Sequence, residues 1–269
     1  RMFPRYPDIY YYTNGAGHQY HSLTAEMERH FRKGVSYQFS YVLARDIGDL
    51  ERGENPEDAY NRARERSVWL DIPTHRVTGN FICELPFGKG KRFLSGANRV
   101  AAAIAGGWEL SGVYSLYSGQ FLTPTWSGPD PTGTRYTTSR TAPNVTLRPD
   151  HLRDANLPGG QRSVNRWFDP GAFAAPAAGR FGTSAKGVVK GPGSSVFNTG
   201  IAKNFSFGER ARLRWEVTAT NAFNHPNWSN PAMSITSLAQ VGVISGTGEP
   251  SQLDASGARS LRTSFRIEW

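Results

Sequence analysis

The chain has 269 residues, of which 38% are hydrophobic and 12% aromatic, and its formal net charge is +9. No run of about 18 apolar residues occurs, which excludes a transmembrane helix, and a single cysteine, Cys83, excludes an internal disulfide framework. The 29 glycines and 17 prolines leave little room for helices and favour an all-β protein with long turns.

Alternation of polar and apolar residues predicts seven strands along the chain. Side chains in a strand point to opposite faces in turn, so one face collects every second residue. The clearest example begins near residue 34, where Val35, Tyr37 and Phe39 alternate with Ser36 and Gln38. The predicted strands cover residues 18–32, 34–47, 74–85, 108–122, 195–206, 210–223 and 258–269.

These strands are longer than those of ordinary sheets. They run to about 11–15 residues, whereas typical strands have about 5–6 and tilted strands that cross a bilayer need about 9–11. Arg, Glu, His and Asn occur in mid-strand, as a water-filled lumen allows. The sequence therefore predicts an antiparallel transmembrane β-barrel segment. We expect lipid to contact its odd-numbered side chains, and water or a plug to contact the even-numbered ones.

The connections alternate between short and long. Residues 32–34 and 207–209 form short turns and 86–106 an intermediate one, whereas 48–72, 124–193 and 224–256 are long. Outer-membrane barrels have short periplasmic turns and long external loops, so a periplasmic Trp269 places every long loop outside. Single-chain bacterial barrels normally have an even number of strands. The odd number here leads us to expect further strands before Arg1.

Several short motifs, taken in order, span nearly the whole chain. They occur at residues 20–23 (YHSL), 85–93 (LPFGKGKRF), 106–112 (GGWELSG), 167–173 (WFDPGAF), 191–193 (GPG) and 221–228 (NAFNHPNW). As a set they resemble TonB-dependent outer-membrane receptors of the large Oar-like type, which carry an N-terminal carboxypeptidase-regulatory-like domain. The resemblance covers residues 1–269 and corresponds to the C-terminal part of the receptor barrel.

This resemblance implies a 22-stranded barrel that imports a scarce ligand with energy passed through TonB. The N-terminal plug and the TonB-contacting segment have no counterpart in the chain. The implied partners are outer-membrane lipid, the plug and remaining barrel strands, and, indirectly, the TonB complex. Trp269 is similar to the terminal aromatic residue that the barrel assembly machinery reads, although the family more often ends in Phe. The implied location is the cell outer membrane of a Gram-negative bacterium.

An inward-facing charged set is the candidate ligand site. Its arginines could attract an anionic ligand or contact a plug. The favoured alternative is an arginine–glutamate ladder, including Glu268, that fills the lumen. The ligand or lumen-facing candidates are Arg210, Arg212, Arg214, Glu216, Arg262 and Arg266.

Three tryptophans, Trp108, Trp215 and Trp269, are predicted to belong to an aromatic girdle at the membrane interface. Stacking on sugars is the less favoured interpretation. No histidine cluster has metal-ligand spacing, and no serine lies in a nucleophile elbow. We therefore predict no enzyme activity, metal or cofactor. The basic residues are dispersed, so no nucleic-acid partner is predicted either.

The predicted function is ligand uptake through a TonB-dependent receptor barrel. Two other classes stay open at this point. One is a plug-less outer-membrane pore or structural barrel component, and the other is a soluble β-sandwich that binds carbohydrate.

Overall fold

The computed structural model describes residues 14–50, 55–69, 72–88, 90–96, 98–133, 145–207, 211–237, 239–248 and 257–269. Its long strands are β1 (His18–Arg32), β2 (Val35–Gly48), β3 (His75–Glu84), β4 (Trp108–Tyr117), β5 (Ser194–Phe207), β6 (Ala211–Thr220) and β7 (Ser260–Glu268). A short α-helix, α1, spans Arg99–Ala105 between β3 and β4, and Asn98 caps its first turn by accepting a hydrogen bond from the Ala101 amide. Single 3-10 turns occur at Arg62–Glu65, Gly159–Gln161 and Pro170–Ala172. No helix in the described part of the chain is long and apolar enough to span a membrane.

All seven long strands form one antiparallel sheet in chain order, β1 to β7. The hairpin of β1 and β2 shows why strands that are consecutive in the sequence pair with each other. Its two turn residues, Lys33 and Gly34, have positive φ values of 55° and 81°. A two-residue turn of this kind matches the twist of the strands that it joins. The predicted all-β, antiparallel fold is confirmed.

The meander places every second connection at the same rim. The Lys33–Gly34 turn, the described part of the 85–107 connection, the end of β5 and the start of β6 lie at one end, called here the short-turn rim. The described parts of the connections that follow β2, β4 and β6 begin at the other end, the long-loop rim. Trp269 lies at the short-turn rim, directly after β7.

The register separates an apolar face from a polar face across the whole sheet. Residues directly opposite each other share a face, and Leu23 lies opposite Leu43, and Trp215 opposite Phe265. On the edge strands this apolar face is open: Leu261 is 70% exposed and Phe265 68% exposed.

Odd-numbered side chains form the apolar face in six of the long strands, as predicted. In β4 this prediction is wrong. There the even-numbered Leu110 lies opposite Cys83 of β3 and Ile201 of β5, so the even residues of β4 carry the apolar face. The number of residues in the 85–107 connection shifts the alternation by one, and shifting a period-2 pattern by one residue exchanges its faces.

Strand ends differ from the prediction where the chain finds other partners. The predicted strand 108–122 ends at Tyr117, because Phe121–Leu122 leaves the sheet and pairs with Val189–Lys190. The predicted strand 210–223 ends at Thr220, where Asn221 takes a positive φ of 48°. Three further short strands of the described residues also lie outside the main meander order: Ser67–Val68 pairs with the end of β2, and Asp150–His151 pairs with Phe173–Ala174.

The main buried hydrophobic cluster lies in the long loops rather than against the sheet. A core between sheet faces would bury the apolar side chains of the strands. Instead, the buried cluster consists of Ala155, Phe168, Ala172, Phe173, Val189, Ile235 and Val241. The long loops therefore fold around a core of their own.

Candidate functional site

The polar face of the sheet carries a cluster of ion-paired side chains near the short-turn rim, centred on Arg214. The Arg214 Nη2 atom lies 2.7 Å from Glu109 Oε1, and Arg214 Nε lies 3.6 Å from Glu216 Oε2. Glu109 and Glu216 are both in register with Ala202 of β5. Because Ala202 is small, the Arg214 side chain can reach across β5 to a carboxylate two strands away.

Glu109 completes this cluster and was not among the predicted site residues. The only signal for it in the sequence was its place on the polar side of the strand that starts at Trp108. The pairing itself depends on the order of β4, β5 and β6, which alternation alone does not determine. Of the predicted candidates, the structure brings Arg214 and Glu216 together, and their role in the lumen stays a prediction.

The remaining charged candidates lie on the same face without such partners. Arg212 lies opposite Glu268, Arg266 opposite Arg214, and Arg262 opposite Thr218. Within the described residues, none of these three arginines forms an ion pair. The last candidate, Arg210, lies outside the described residues.

Aromatic side chains form a row on the apolar face near the same rim. The rings of Trp108 and Trp215 meet edge to face at 6.2 Å, and Trp215 stacks on Phe265 at 6.4 Å. Trp269 is 95% exposed at the chain end. These positions fit a girdle, and that role stays a prediction.

Lys203 lies between Trp108 and Trp215 in the register and is 2% exposed. Its ammonium donates hydrogen bonds to the carbonyls of Ala103 at 2.7 Å and Ile104 at 2.9 Å, in the last turn of α1, and to the carbonyl of Gly106, directly after the helix. It also lies 5.1 Å from the Trp108 ring centroid. A cation at a helix C-terminus stabilises the free carbonyls and the helix dipole. The sequence pattern did not single out this residue.

The long-loop rim has a folded structure, called here the loop cap (residues 55–69, 145–193, 225–237 and 239–248). Main-chain hydrogen bonds connect its segments: Trp167 N donates to Gly242 O at 2.8 Å, and Ile244 N donates to Val164 O at 2.7 Å. The WFDPGAF motif forms much of its core, since Phe168 and Ala172 are fully buried. The loop cap is therefore a folded unit with its own hydrophobic core and main-chain hydrogen bonds.

Buried charges connect two parts of the loop cap. Arg148 forms ion pairs with Glu65 at 2.9 Å and Glu57 at 2.7 Å, and all three side chains are at most 2% exposed. Arg64 adds a contact to Glu57 at 3.1 Å, and Lys186 one to Glu65 at 3.6 Å. Burial raises the pKa of the Glu57 carboxyl although Arg148 and Arg64 lie against it. Taking these charges out of water is costly, so their mutual pairing is what keeps them inside.

Asparagines of the NAFNHPNW motif secure the chain after β6. The Asn221 amide donates to the carbonyls of His225 and Gly257, both at 2.9 Å, and the Asn227 carbonyl oxygen accepts from Ser195 N at 2.7 Å. Both asparagines are 1% exposed. The motif therefore has a structural role at the base of the loop cap.

Metal-ligating side chains are not grouped in the part of the chain that the structure covers. No set of three or more His, Cys, Asp or Glu residues there is placed to hold an ion. Asp169, in the loop cap, is instead held by two arginines, with Arg153 Nη2 at 2.7 Å and Arg166 Nη2 at 3.1 Å.

A single meander with an open apolar face, a polar face and long loops folded at one rim is the pattern of a transmembrane β-barrel wall. The comparison with protein families agrees with this class. The chain belongs to the family described as outer membrane beta barrel domain, whose model matches residues 1–262. It is therefore an outer-membrane protein. Comparison with curated proteins finds no match, and neither does comparison with solved structures.

The soluble β-sandwich alternative is wrong. A sandwich needs two sheets whose apolar faces pack on each other. The long strands here form one sheet, its apolar face is open on the edge strands, and the family is one of the outer membrane.

Proposed function

We propose that the chain forms part of the barrel of a TonB-dependent receptor that imports a scarce ligand across the outer membrane. The observation that carries this proposal is the loop cap. A pore that only lets solutes pass has no need of a folded surface at its mouth, whereas a receptor needs one to select its ligand before import. The fully buried Phe168 and the buried Arg148–Glu65 pair give the cap the rigidity that selective binding requires.

The motif resemblance supports the same proposal. The motifs lie at positions that fix the chain: residues 85–93 shape the short-turn rim, 167–173 form the core of the cap, and 221–228 secure its base. Because the motifs have structural roles, their resemblance to TonB-dependent receptors supports a barrel and cap architecture that the chain shares with those receptors. It leaves the ligand itself open, since ligand contacts belong to the variable surface of the loops.

In this proposal the polar face of the sheet lines the path that the ligand takes through the barrel. Water or a plug contacts Arg214, Glu109 and Glu216 on this face, and the arginines without ion pairs attract anionic groups on the ligand or on the plug.

Conductance in planar lipid bilayers tests the proposal against a plug-less pore. The complete natural protein that contains these residues is purified in detergent and inserted into bilayers bathed in KCl. A plugged receptor shows no open channels until urea unfolds the plug, whereas a plug-less pore conducts in steps from the start. Crosslinking of the complete protein to TonB in living cells gives a second readout. Open channels without urea, together with no TonB crosslink, would overturn the proposal.

A further inference from the structure

An apolar groove of about 430 Å³ lies at the short-turn rim. Its walls come from two sources, the start of β4 with the middle of β5 and the connection that contains α1. The lining residues are Leu85, Phe87, Leu94, Ala105, Trp108 and Ile201.

The groove is continuous with the apolar face of the sheet. Trp108 and Ile201 belong to that face in β4 and β5, two positions apart along the register. The face of an outer-membrane barrel that is apolar contacts lipid acyl chains. A groove that opens from this face is therefore filled by acyl chain rather than by water.

The 85–107 connection presents further apolar side chains beside the groove. Leu94 is 51% exposed, and Val100 and Ile104 on α1 are 68% and 67% exposed. Side chains of this size are costly to leave in water but stable at the boundary between lipid headgroups and acyl chains. The connection therefore lies against the membrane surface.

Main-chain contacts make the groove a preformed feature. Gly88 N donates to Phe93 O, and Phe93 N donates to Pro86 O, both at 2.9 Å, so the tip of the connection closes on itself. A Cβ on Gly88 would lie 2.8 Å from the Gly106 Cα atom, so the two backbones are in direct contact. Lys203 holds the end of α1 through three carbonyls.

The Arg92 side chain lies beside the aromatic wall of the groove. The Arg92 guanidinium lies 5.5 Å from the Phe93 ring centroid, and the Phe93 ring lies 5.7 Å from that of Phe87, which lines the groove. Within the described residues Arg92 has no ion pair, whereas its neighbour Lys91 is paired with Glu84 at 2.6 Å. Arg92 is thus available to a phosphate at the groove.

We propose that this groove binds one phospholipid, with an acyl chain against Trp108 and Ile201 and the phosphate at Arg92. Short turns lie on the periplasmic side of outer-membrane barrels, where the leaflet consists of phospholipid. The proposal depends on the membrane location of the family and is independent of the proposed transport.

Native mass spectrometry of the complete natural protein, after detergent washing, counts the phospholipid that stays bound. We expect one molecule per chain. Ala105→Trp fills the groove and is expected to lower retention about tenfold. The matched control is Ala219→Trp, which adds the same side chain to the apolar face of β6 away from the groove and should leave retention unchanged. Heat-dependent migration on gels verifies that both variants are folded.

Mixed micelles of phosphatidylethanolamine and phosphatidylglycerol test the headgroup contact. Arg92→Gln should reduce the retained anionic lipid about tenfold, and Arg92→Lys should restore most of it. Three results would each overturn the proposal. The first is an equal loss of bound lipid in Ala105→Trp and Ala219→Trp, the second is bound lipopolysaccharide in place of phospholipid, and the third is no bound lipid at all.

Brominated acyl chains give a measurement that needs no groove-filling variant. Bromine quenches tryptophan only on contact, so a bound brominated phospholipid should quench Trp108 at low lipid content. The conservative variant Trp108→Phe should lose this early phase of quenching. Quenching that rises only in proportion to total brominated lipid, in both proteins, would contradict a specific site.

Discussion

Arg148 and Glu65, 83 positions apart in the sequence, face each other in a doubly hydrogen-bonded ion pair, with Nη1–Oε2 at 2.9 Å and Nη2–Oε1 at 3.0 Å. Both side chains are at most 2% exposed. The pair joins the connection after β2 to the connection after β4. These two loops are therefore parts of one structure, although neither is regular by itself.

Glu65→Gln should loosen the loop cap and leave the sheet intact. The change removes one of the two carboxylates that compensate the buried Arg148 and leaves Glu57 at 2.7 Å, so the cost should approach, without exceeding, the value of about 3–5 kcal/mol for a fully uncompensated buried charge. Hydrogen exchange in detergent should show faster exchange in residues 55–69 and 145–152, with unchanged protection in β2, β3 and β4.

Arg153→Gln is the matched control for this change. It removes the Arg153–Asp169 contact of 2.7 Å, which also lies in the loop cap but has an arginine that is 59% exposed. Exposed pairs contribute about 0–1 kcal/mol. Equal effects of the two variants would show that burial of the Arg148 cluster does not stabilise the cap.

Phe39→Arg tests which face contacts lipid. Phe39 lies at mid-sheet, in one register line with Gly79, Tyr114 and Phe197. An arginine on the lipid side near the bilayer midplane costs about 2–4 kcal/mol. The adjacent Gln38→Arg, on the polar face, should cost little. Urea unfolding in lipid vesicles measures both, and a larger loss for Gln38→Arg would mean that the faces are assigned the wrong way round.

Gly79→Ala tests the packing of the same row. The Phe39 ring lies over Gly79 so closely that an added Cβ would overlap it. The ring must then leave its position, and overpacking of this kind costs about 1–3 kcal/mol. Gly96→Ala is the control, since nothing lies within 4 Å of a Cβ added there. Unfolding in vesicles should separate the two variants by that amount.

Strand positions could be predicted because their signal is local. The alternation of Val35, Tyr37 and Phe39 with Ser36 and Gln38 follows directly from a sheet with lipid on one side and polar contacts on the other. The same reasoning placed the polar and apolar sets of β6 and β7. It needed no knowledge of which strand pairs with which.

The ends of β4 and the loop cap could not be predicted because their signals are not local. The pairing of Phe121–Leu122 with Val189–Lys190 joins segments far apart in the sequence, and neither segment has a period of its own. From the sequence alone, charged residues in a polar loop are expected to be exposed to solvent, and this applies to Glu57, Glu65 and Arg148. Only the fold brings them together and removes them from water.

Acid should loosen the cap at Asp150. The hydrogen bonds from Arg180, at 2.6 and 2.8 Å, hold the pKa of the Asp150 carboxyl below its ordinary value of 3.8. A pKa that is lower in the folded state means stabilisation that is present above pH 3.8 and is lost as the pH falls through the folded pKa. Hydrogen exchange of residues 173–184, around Arg180, should therefore stay constant just above about pH 4, after correction for intrinsic rates, and rise in stronger acid; the raised pKa of Glu57 acts at higher pH and in the opposite sense, on the part of the cap around Arg148.

Asp150→Asn and Arg180→Gln remove the same contact from either side. Both variants should lose this part of the acid dependence and should exchange faster than the natural chain at neutral pH. An acid transition that persists unchanged in Arg180→Gln would show that another group causes it.

Ion selectivity should distinguish the paired arginine of the polar face from the unpaired ones. Glu109 and Glu216 neutralise Arg214, so Arg214→Gln should lower the thermal stability of the barrel with little change in selectivity. Arg262 and Arg266 have no carboxylate partner within the described residues, so their charge acts on mobile ions. Replacing either by Gln should shift the reversal potential of the urea-opened complete protein, measured across a KCl gradient, toward cation selectivity. A larger shift for Arg214→Gln than for Arg262→Gln would contradict the ladder and place the attracting charge at β6 instead.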